Sequence, residues 1–180
     1  KRKVLGDGAA FFALEAATAA QTRGAPILAE VLGYGMGMDA EGFMAPNLGT
    51  AGLKHAIGLA LSRAGLSTAD IGLLVWAPQG NRQDLKVLHV REELWTDAST
   101  RPPIATTTFN TGYIESASIL VSLAATLASL PEGLELWPQL TGLPELDEFR
   151  LTRTPEHLLA VGSTDLGYNF AVVLRRGWKP

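Results

Sequence analysis

A strand, a polar turn and a helix follow one another near residue 110, and together they decide the fold class. The turn reads Thr106-Thr107-Thr108-Phe109-Asn110-Thr111-Gly112-Tyr113. A short β-branched strand at Ile104–Thr107 leads into it, and β-branched residues favour the extended conformation. A strongly apolar helix at Glu115–Ser129 follows. A buried strand that feeds a buried helix in this way predicts an α/β layered unit.

The same alternation extends outward along the chain. The run Ile71–Trp76 is apolar throughout, which is typical of a strand covered on both faces. Gly24 and Gly65 stand where helices should end, because glycine adopts the left-handed C-cap conformation at little cost. The predicted strands are Ala9–Leu14, Ile27–Tyr34, Ile71–Trp76, Ile104–Thr107, Leu158–Val161 and Ala171–Arg175; the helices are Ala16–Thr22, Gly49–Ala64, Arg82–Trp95 and Glu115–Ser129; the loops are Gly35–Asn47 and Pro131–Pro155.

Composition narrows the function classes. The 180 residues are 47% hydrophobic, enough for one domain with a sizeable core. A formal net charge of −3 argues against a nucleic-acid partner, and no apolar run approaches the ~20 residues of a membrane span. Cysteine is absent, so the chain has no thiolate nucleophile of its own. The spacing of His55, His89 and His157 is not that of metal ligands, so we expect no metal site. We also expect no cofactor and a cytoplasmic location.

Several segments, taken in order, resemble the β-ketoacyl synthases. The stretch Gly167–Arg175 resembles their closing Gly-Gly-Thr-Asn-Ala strand, in a form nearer to the Gly-Phe-Asn-Ser-Ala of type II polyketide synthase chain-length factors. The resemblance covers essentially all 180 residues and corresponds to the C-terminal part of a family member. The other segments that resemble the family are Gly6-Asp7-Gly8-Ala9-Ala10 with Glu15, Arg23–Gly35, Ile57–Ser67 with Asp70-Ile71, and Thr111-Gly112.

The resemblance implies a thiolase-like layered αβαβα fold built from two pseudo-equivalent halves. It divides the chain into residues 1–34 as the end of the first half, 35–48 as a connecting loop and 49–180 as the C-terminal half. The fold would be completed by another polypeptide or by a missing first half. We expect that half to cover the apolar faces of the helices Gly49–Ala64 and Glu115–Ser129.

The same resemblance identifies four vestigial site positions. The family motif Lys-Ser-x-Thr-Gly-His survives only as Thr111-Gly112, with Thr108 in place of the lysine and Tyr113 in place of the histidine. The family's other catalytic histidine falls on Ala77 or Pro78, depending on a one-residue shift. Neither side chain can donate a hydrogen bond to an oxyanion.

Other residues near these positions are candidates for a pocket or for facing a carbonyl group. Tyr113 is predicted to be buried with its hydroxyl satisfied, since a phenol with a pKa of about 10 is a poor base. Gln79 is predicted to be an exposed residue at a strand end. Gly33-x-Gly35-x-Gly37 is interpreted as a flexible or tightly turned loop, because a phosphate-binding glycine loop leads directly into a helix. The candidate pocket residues are Gln79, Asn110, Thr111, Gly112, Gly167, Tyr168 and Asn169.

Two functions remain open. The first is a non-catalytic, chain-length-factor-type subunit that pairs with an active ketosynthase as a heterodimer and shapes the tunnel for the acyl or polyketide chain. The second is the C-terminal part of an active β-ketoacyl-acyl carrier protein synthase with diverged groups such as Tyr113, Asn110 and Asn169. The expected partners are a complementary N-terminal half, an active ketosynthase and an acyl carrier protein of polyketide or fatty acid biosynthesis. For this chain alone the sequence favours a non-enzyme that is a component of an acyltransferase complex.

Overall fold

The computed structural model describes residues 4–39, 49–130, 154–164 and 166–177. Within them, one five-stranded sheet has the order β1-β5-β4-β2-β3. β5 is antiparallel to β1 and β4, whereas β2 is parallel to β4 and to β3. The strands are β1 (Ala29–Met38), β2 (Ile71–Val75), β3 (Ile104–Ala105), β4 (His157–Ser163) and β5 (Tyr168–Arg176); the helices are α1 (Ala17–Thr22), α2 (Ala51–Ala64), α3 (Asp84–Leu94), α4 (Thr108–Thr111) and α5 (Ser118–Ser129). The mixed α/β fold class is confirmed.

One face of the sheet is covered by α2 and α3. The apolar spacing of α2 places Leu53, Ile57 and Ala60 in a core that also holds β-strand residues such as Leu159 and Val173. α2 ends at Gly65, whose φ of 66° is left-handed, and the amide of Leu66 donates to the carbonyl of Leu61. This closing turn confirms the predicted C-cap. α1 is likewise followed by a left-handed glycine, Gly24.

The glycine-rich stretch that was predicted as a loop is part of β1. The prediction for Gly35–Asn47 is therefore wrong over its first four residues, and β1 runs on to Met38. A Cβ added to Gly33, Gly35 or Gly37 would lie 2.0–2.2 Å from a carbonyl oxygen of α2. Because only glycine allows this approach, the stretch is a strand packed directly against a helix backbone. The division at residue 35 into two halves and a connector stays a prediction.

The opposite face is only partly covered. Here α5 packs on β2 and β4 through a second core that includes Leu73, Val75, Leu127, Leu158 and Ala160. The β1 and β5 part of this face carries exposed side chains, which we call the β1–β5 stripe: Tyr34 (58% exposed), Met36 (64%), Met38 (62%) and Tyr168 (47%). The expectation that another half must cover α2 is wrong, since its apolar face is buried within this chain. On α5, Leu120 is 42% exposed.

The N-terminal segment differs from its prediction. Residues Ala9–Leu14 form no strand, and Phe11 (95%) and Leu14 (82%) are exposed. The apolar run suggested a strand, but no strand of the described sheet lies beside it. The preceding residues do pair, because the amide of Tyr113 donates to the carbonyl of Val4 at 2.8 Å and the amide of Gly6 donates to the carbonyl of Tyr113 at 3.1 Å.

The remaining boundaries shift only slightly. β4 and β5 are longer than predicted, α3 ends one residue before Trp95, and the predicted loop Pro131–Pro155 lies outside the described residues except for its last two. None of the helices in the part of the chain that the structure describes is long and apolar enough to cross a membrane.

Candidate functional site

A pocket of about 260 Å³ opens where β2 and β4 reach their carboxyl ends. Three of the predicted site residues, Ala77, Gln79 and Tyr113, lie in its wall. Pro78 is buried and is not part of this wall, so Ala77 is the member of that pair that faces the pocket. The other lining residues are Trp76, Gln83, Asp84, Val87, Glu115, Ser116, Ser118, Ile119, Val161, Gly162, Ser163, Thr164 and Phe170.

The loop after β2 is fixed by the first residue of α3. The Asp84 carboxylate accepts hydrogen bonds from the backbone amides of Gln79 (2.8 Å), Gly80 (2.7 Å) and Asn81 (3.1 Å). Three amide donors satisfy this carboxylate at the positive end of the helix, where a negative charge is stabilised. The loop that carries Ala77 into the pocket is therefore anchored.

Gln79 is buried, which corrects its prediction as an exposed strand-end residue. It is 9% exposed, and its side-chain amide donates to the carbonyl of Ser163 at 3.5 Å while its oxygen accepts from Asn81 at 3.2 Å. Both ends of the amide are thus engaged by the protein. The loop folds back onto β4 because the backbone amides of the loop donate hydrogen bonds to the Asp84 carboxylate.

Tyr113 enters the pocket from the turn before α5. Its backbone is clamped on both sides by the N-terminal residues Val4 and Gly6, and its side chain is half-buried in the pocket wall. A Cβ on Gly6 would lie 1.8 Å from the carbonyl oxygen of Thr111, so the N-terminal glycine permits this pairing. The motif Gly6–Ala10 thereby has a structural role at the site.

The polar turn itself is held by hydroxyl groups of its own and of α5. The Thr107 amide donates to the Ser122 hydroxyl at 3.1 Å, and the two hydroxyls lie 3.0 Å apart. Thr108 donates from its amide to the Thr106 hydroxyl at 3.2 Å. Thr111 donates to the carbonyl of Thr107 at 3.0 Å. None of the predicted residues Thr108, Asn110, Thr111 and Gly112 lines the pocket.

The predicted site residues Gly167, Tyr168 and Asn169 lie apart from the pocket wall. Gly167 has a φ of 84° in the turn before β5, whereas Tyr168 and Asn169 belong to the strand. Tyr168 is exposed. Asn169 is fully buried, points to the α2 face, and donates to Asp39 at 2.8 Å.

Asn169 belongs to a buried polar cluster that sequence reasoning missed. Lys86 (0% exposed) donates to Asp39 at 2.5 Å, and the amide of Gly52 donates to the same carboxylate at 2.6 Å. We call Asp39, Lys86 and Asn169 the charged buckle, because it joins β1, α3 and β5 at the start of α2. Burial raises the pKa of Asp39, but the hydrogen bonds from Lys86, Gly52 and Asn169 outweigh it and hold the pKa below its usual value.

A signal for this cluster exists in α3. Its buried residues are Lys86, Val87, Val90 and Arg91, which recur at helical spacing, while Leu85 is 43% exposed. A helix face on which two buried cations flank two valines indicates buried partners for those cations.

No group of three or more potential metal ligands occurs among the residues that the structure describes. His55 and His89 are exposed, and His157 is half-buried at the start of β4. The pocket therefore offers side chains of Tyr, Gln, Ser, Thr and carboxylate type.

Comparisons with known proteins agree with this architecture. The 3-oxoacyl-[acyl-carrier-protein] synthase 2 of Rhizobium meliloti (strain 1021) is 34% identical over 115 residues, 64% of this chain and 27% of the relative. The corresponding synthase of Vibrio cholerae serotype O1 is 31% identical over 135 residues, 73% of this chain and 32% of the relative. The chain thus spans about a third or less of these curated relatives. No protein-family model matches it.

Solved structures carry the comparison further. The ishigamide ketosynthase/chain length factor superposes with a TM-score of 0.80 and 24% identity, over 97% of this chain and 44% of that one. A type II polyketide synthase acyl-carrier protein in complex with its ketosynthase, AntDE:AntF, gives 0.76 and 19%, over 90% and 42%.

The fold is therefore that of the thiolase-like condensing enzymes and their relatives. Within that class, the chain is the C-terminal part of a β-ketoacyl synthase-like protein. The resemblance stated from the sequence motifs is confirmed.

Proposed function

We propose that this chain is the C-terminal part of a non-catalytic, chain-length-factor-type subunit, which pairs with an active ketosynthase and shapes the tunnel for the acyl chain. The observation that carries the proposal is Ala77 in the pocket wall, where the resemblance puts a histidine. An oxyanion donor at such a position is worth about a hundredfold to a thousandfold in kcat. A chain that lacks this donor, and that has Thr108 in place of the lysine, keeps the scaffold without the catalytic groups.

The experiment that tests this proposal reconstitutes the full-length protein with a ketosynthase and an acyl carrier protein. Condensation should require the protein, yet Ala77→Gly and Thr108→Ala should leave the rate of the assembled complex unchanged. A large loss of rate in either variant, with assembly intact, would contradict the proposal.

A second candidate is an active condensing enzyme with diverged groups. It is favoured by Tyr113 and Gln79, which line the same pocket and carry groups that donate hydrogen bonds. The Gln79 amide is already engaged by Ser163 and Asn81, which leaves Tyr113 as the group to test.

The proposal includes a complementary N-terminal half that covers the β1–β5 stripe. Support comes from the exposed side chains of that stripe and from the relatives, whose length is about three times that of the matched segment. An uncovered apolar patch of this kind is typical of an interaction surface. The ishigamide and AntDE:AntF structures, named for their ketosynthase, chain length factor and acyl-carrier protein, support the other two partners.

Met36→Glu tests the covered stripe. A carboxylate buried there without a partner costs several kcal/mol, so association with a separately produced first half should weaken by at least about tenfold. His55→Glu, on the exposed side of α2, is the matched control and should associate normally. Equal association of both variants would show that the stripe is not the contact.

A further inference from the structure

The outer edge of β1 is open. In the part of the chain that the structure describes, β1 is an end strand of the sheet and pairs with β5 alone. The amide of Asp39, just after β1, donates to the carbonyl of Gly167 and so faces the β5 side. Successive residues of an antiparallel strand direct their backbone groups to opposite sides, so those of Tyr34, Met36 and Met38 point outward. Three backbone donors and three acceptors therefore lie along this edge.

The sequence of β1 itself gives this edge little protection. Strand edges in natural proteins carry charges, prolines or bulges, which prevent pairing with another chain. The stretch Val31–Met38 has no charged residue and no proline. The β-bulge of β1 lies at the start of this stretch, between Val31 and Gly33, and the pairing beyond it is regular. An edge of this kind is a template for an identical strand unless another element covers it.

Arg63 of α2 reaches around this edge. Its side chain begins on the α2 face, where a Cβ added to Gly33 would lie 3.2 Å from the Cβ of Arg63. The guanidinium group donates to the outward carbonyl of Tyr34 at 2.7 Å and lies 4.5 Å from the centre of the Tyr34 ring, which belongs to the opposite face. A charged donor on a carbonyl and a cation over an aromatic ring both stabilise this position. Arg63 therefore supplies the charge that β1 lacks.

We propose that Arg63 closes the edge of β1 against antiparallel pairing with β1 of a second copy of this chain. In a two-fold arrangement centred on Met36, the outward groups of Tyr34 would meet those of Met38 in the second copy, and the same contact would recur by symmetry. This pairing needs the Tyr34 carbonyl, which Arg63 occupies. The complementary half proposed above covers side chains on one face of β1, whereas this pairing uses backbone groups at its edge, so neither proposal depends on the other.

Sedimentation velocity over a concentration series measures the self-association of the assembled full-length protein. Arg63→Met keeps an apolar stem and removes the guanidinium group. This variant should self-associate at least about tenfold more tightly than the wild type, because the Tyr34 carbonyl becomes available for pairing. Lys54→Met is the matched control: it removes a positive charge from the same helix, where the lysine pairs with Glu93 of α3, and it should behave as the wild type does.

A second substitution locates the contact. Met36→Pro, made together with Arg63→Met, removes the outward amide at the centre of the edge, a position where an edge strand tolerates proline. The double variant should return to the self-association of the wild type. Association that persists in the double variant, or an Arg63→Met protein that associates no more tightly than the wild type, would overturn the proposal. Arg63→Gln also removes the charge, and it decides the question in the same way if Arg63→Met fails to fold.

Discussion

The two faces of the sheet differ in how closely they are packed. On the α2 face, glycines bring β1 against a helix backbone, and the charged buckle joins β1, α3 and β5, with its lysine and carboxylate buried. On the α5 face, hydroxyl groups hold the polar turn, a pocket stays open, and the β1–β5 stripe is exposed. In the part of the chain that the structure describes, the first face is packed by helices, and the second leaves a pocket and a row of exposed side chains. The comparison teaches that one sheet can combine a closely packed face with an open one.

The largest expected effect is on the closely packed face, at the charged buckle. Lys86→Met removes the cation from a buried ion pair and leaves the Asp39 carboxylate without its compensation. Loss of one partner of such a pair costs about 3–5 kcal/mol. Chemical denaturation of the assembled protein measures this loss in the free energy of unfolding.

A matched control exists on the surface. Lys54 forms an ion pair of similar length with Glu93, 2.6 Å, but both side chains are more than a third exposed. Lys54→Met should cost less than about 1 kcal/mol. Equal losses in the free energy of unfolding of the two variants would mean that the buried ion pair stabilises the fold no more than a surface pair does.

A smaller loss is expected where β1 meets α2. In Gly35→Ala the new methyl group would lie 2.0 Å from the carbonyl oxygen of Ala56, and overpacking of this kind costs about 1–3 kcal/mol. Gly58→Ala is the control, because nothing lies within 4 Å of its added Cβ and alanine favours a helix interior by roughly 0.5–1 kcal/mol. Thermal unfolding should therefore shift down in the first variant and up in the second. A rise in both would contradict the close packing of β1 on α2.

The buckle should also give stability a dependence on acidity. The pKa of Asp39 is lower in the folded protein than its usual value, which is near 3.9 in an unfolded chain. Its contribution to stability is therefore complete above about pH 4 and declines as the pH falls towards the folded-state pKa. Asp39→Asn should remove this part of the acid dependence, which unfolding curves of both proteins measured between neutral and acidic pH would reveal. Parallel curves would contradict it.

Much of the fold was predictable, because local patterns agreed with the tertiary structure. The 3.6-residue spacing of α2, its Gly65 cap and the apolar run of β2 all gave the observed elements. The predicted end of β1 is too early, because a glycine-rich stretch indicates a loop unless a helix backbone is known to lie against it. Ala9–Leu14 read as a strand because an apolar run alone does not specify a neighbour.

The site was predictable only where the resemblance supplied positions. The resemblance assigns Ala77 and Tyr113 to one site, and both lie in one pocket wall. Their spacing along the chain does not predict this. Lys86 was missed because its partner, Asp39, lies 47 residues earlier, within the stretch Gly35–Asn47 that the sequence predicts as a loop. Phe170 was missed because a single aromatic residue in a strand carries no signal of a pocket until the register of β4 and β5 is known.

Tyr113→Phe tests the non-catalytic role most directly, because it removes one hydroxyl group from the pocket and leaves the packing of the sheet unchanged. The measurement is the condensation rate of the reconstituted complex with its acyl carrier protein, after equal assembly has been confirmed. The proposed non-catalytic subunit predicts an unchanged rate and a loss of stability no larger than the net contribution of one hydrogen bond, about 0.5–1.5 kcal/mol. A positioned acid would contribute about a hundredfold or more, so a loss of that size in a fully assembled complex would contradict the non-catalytic role.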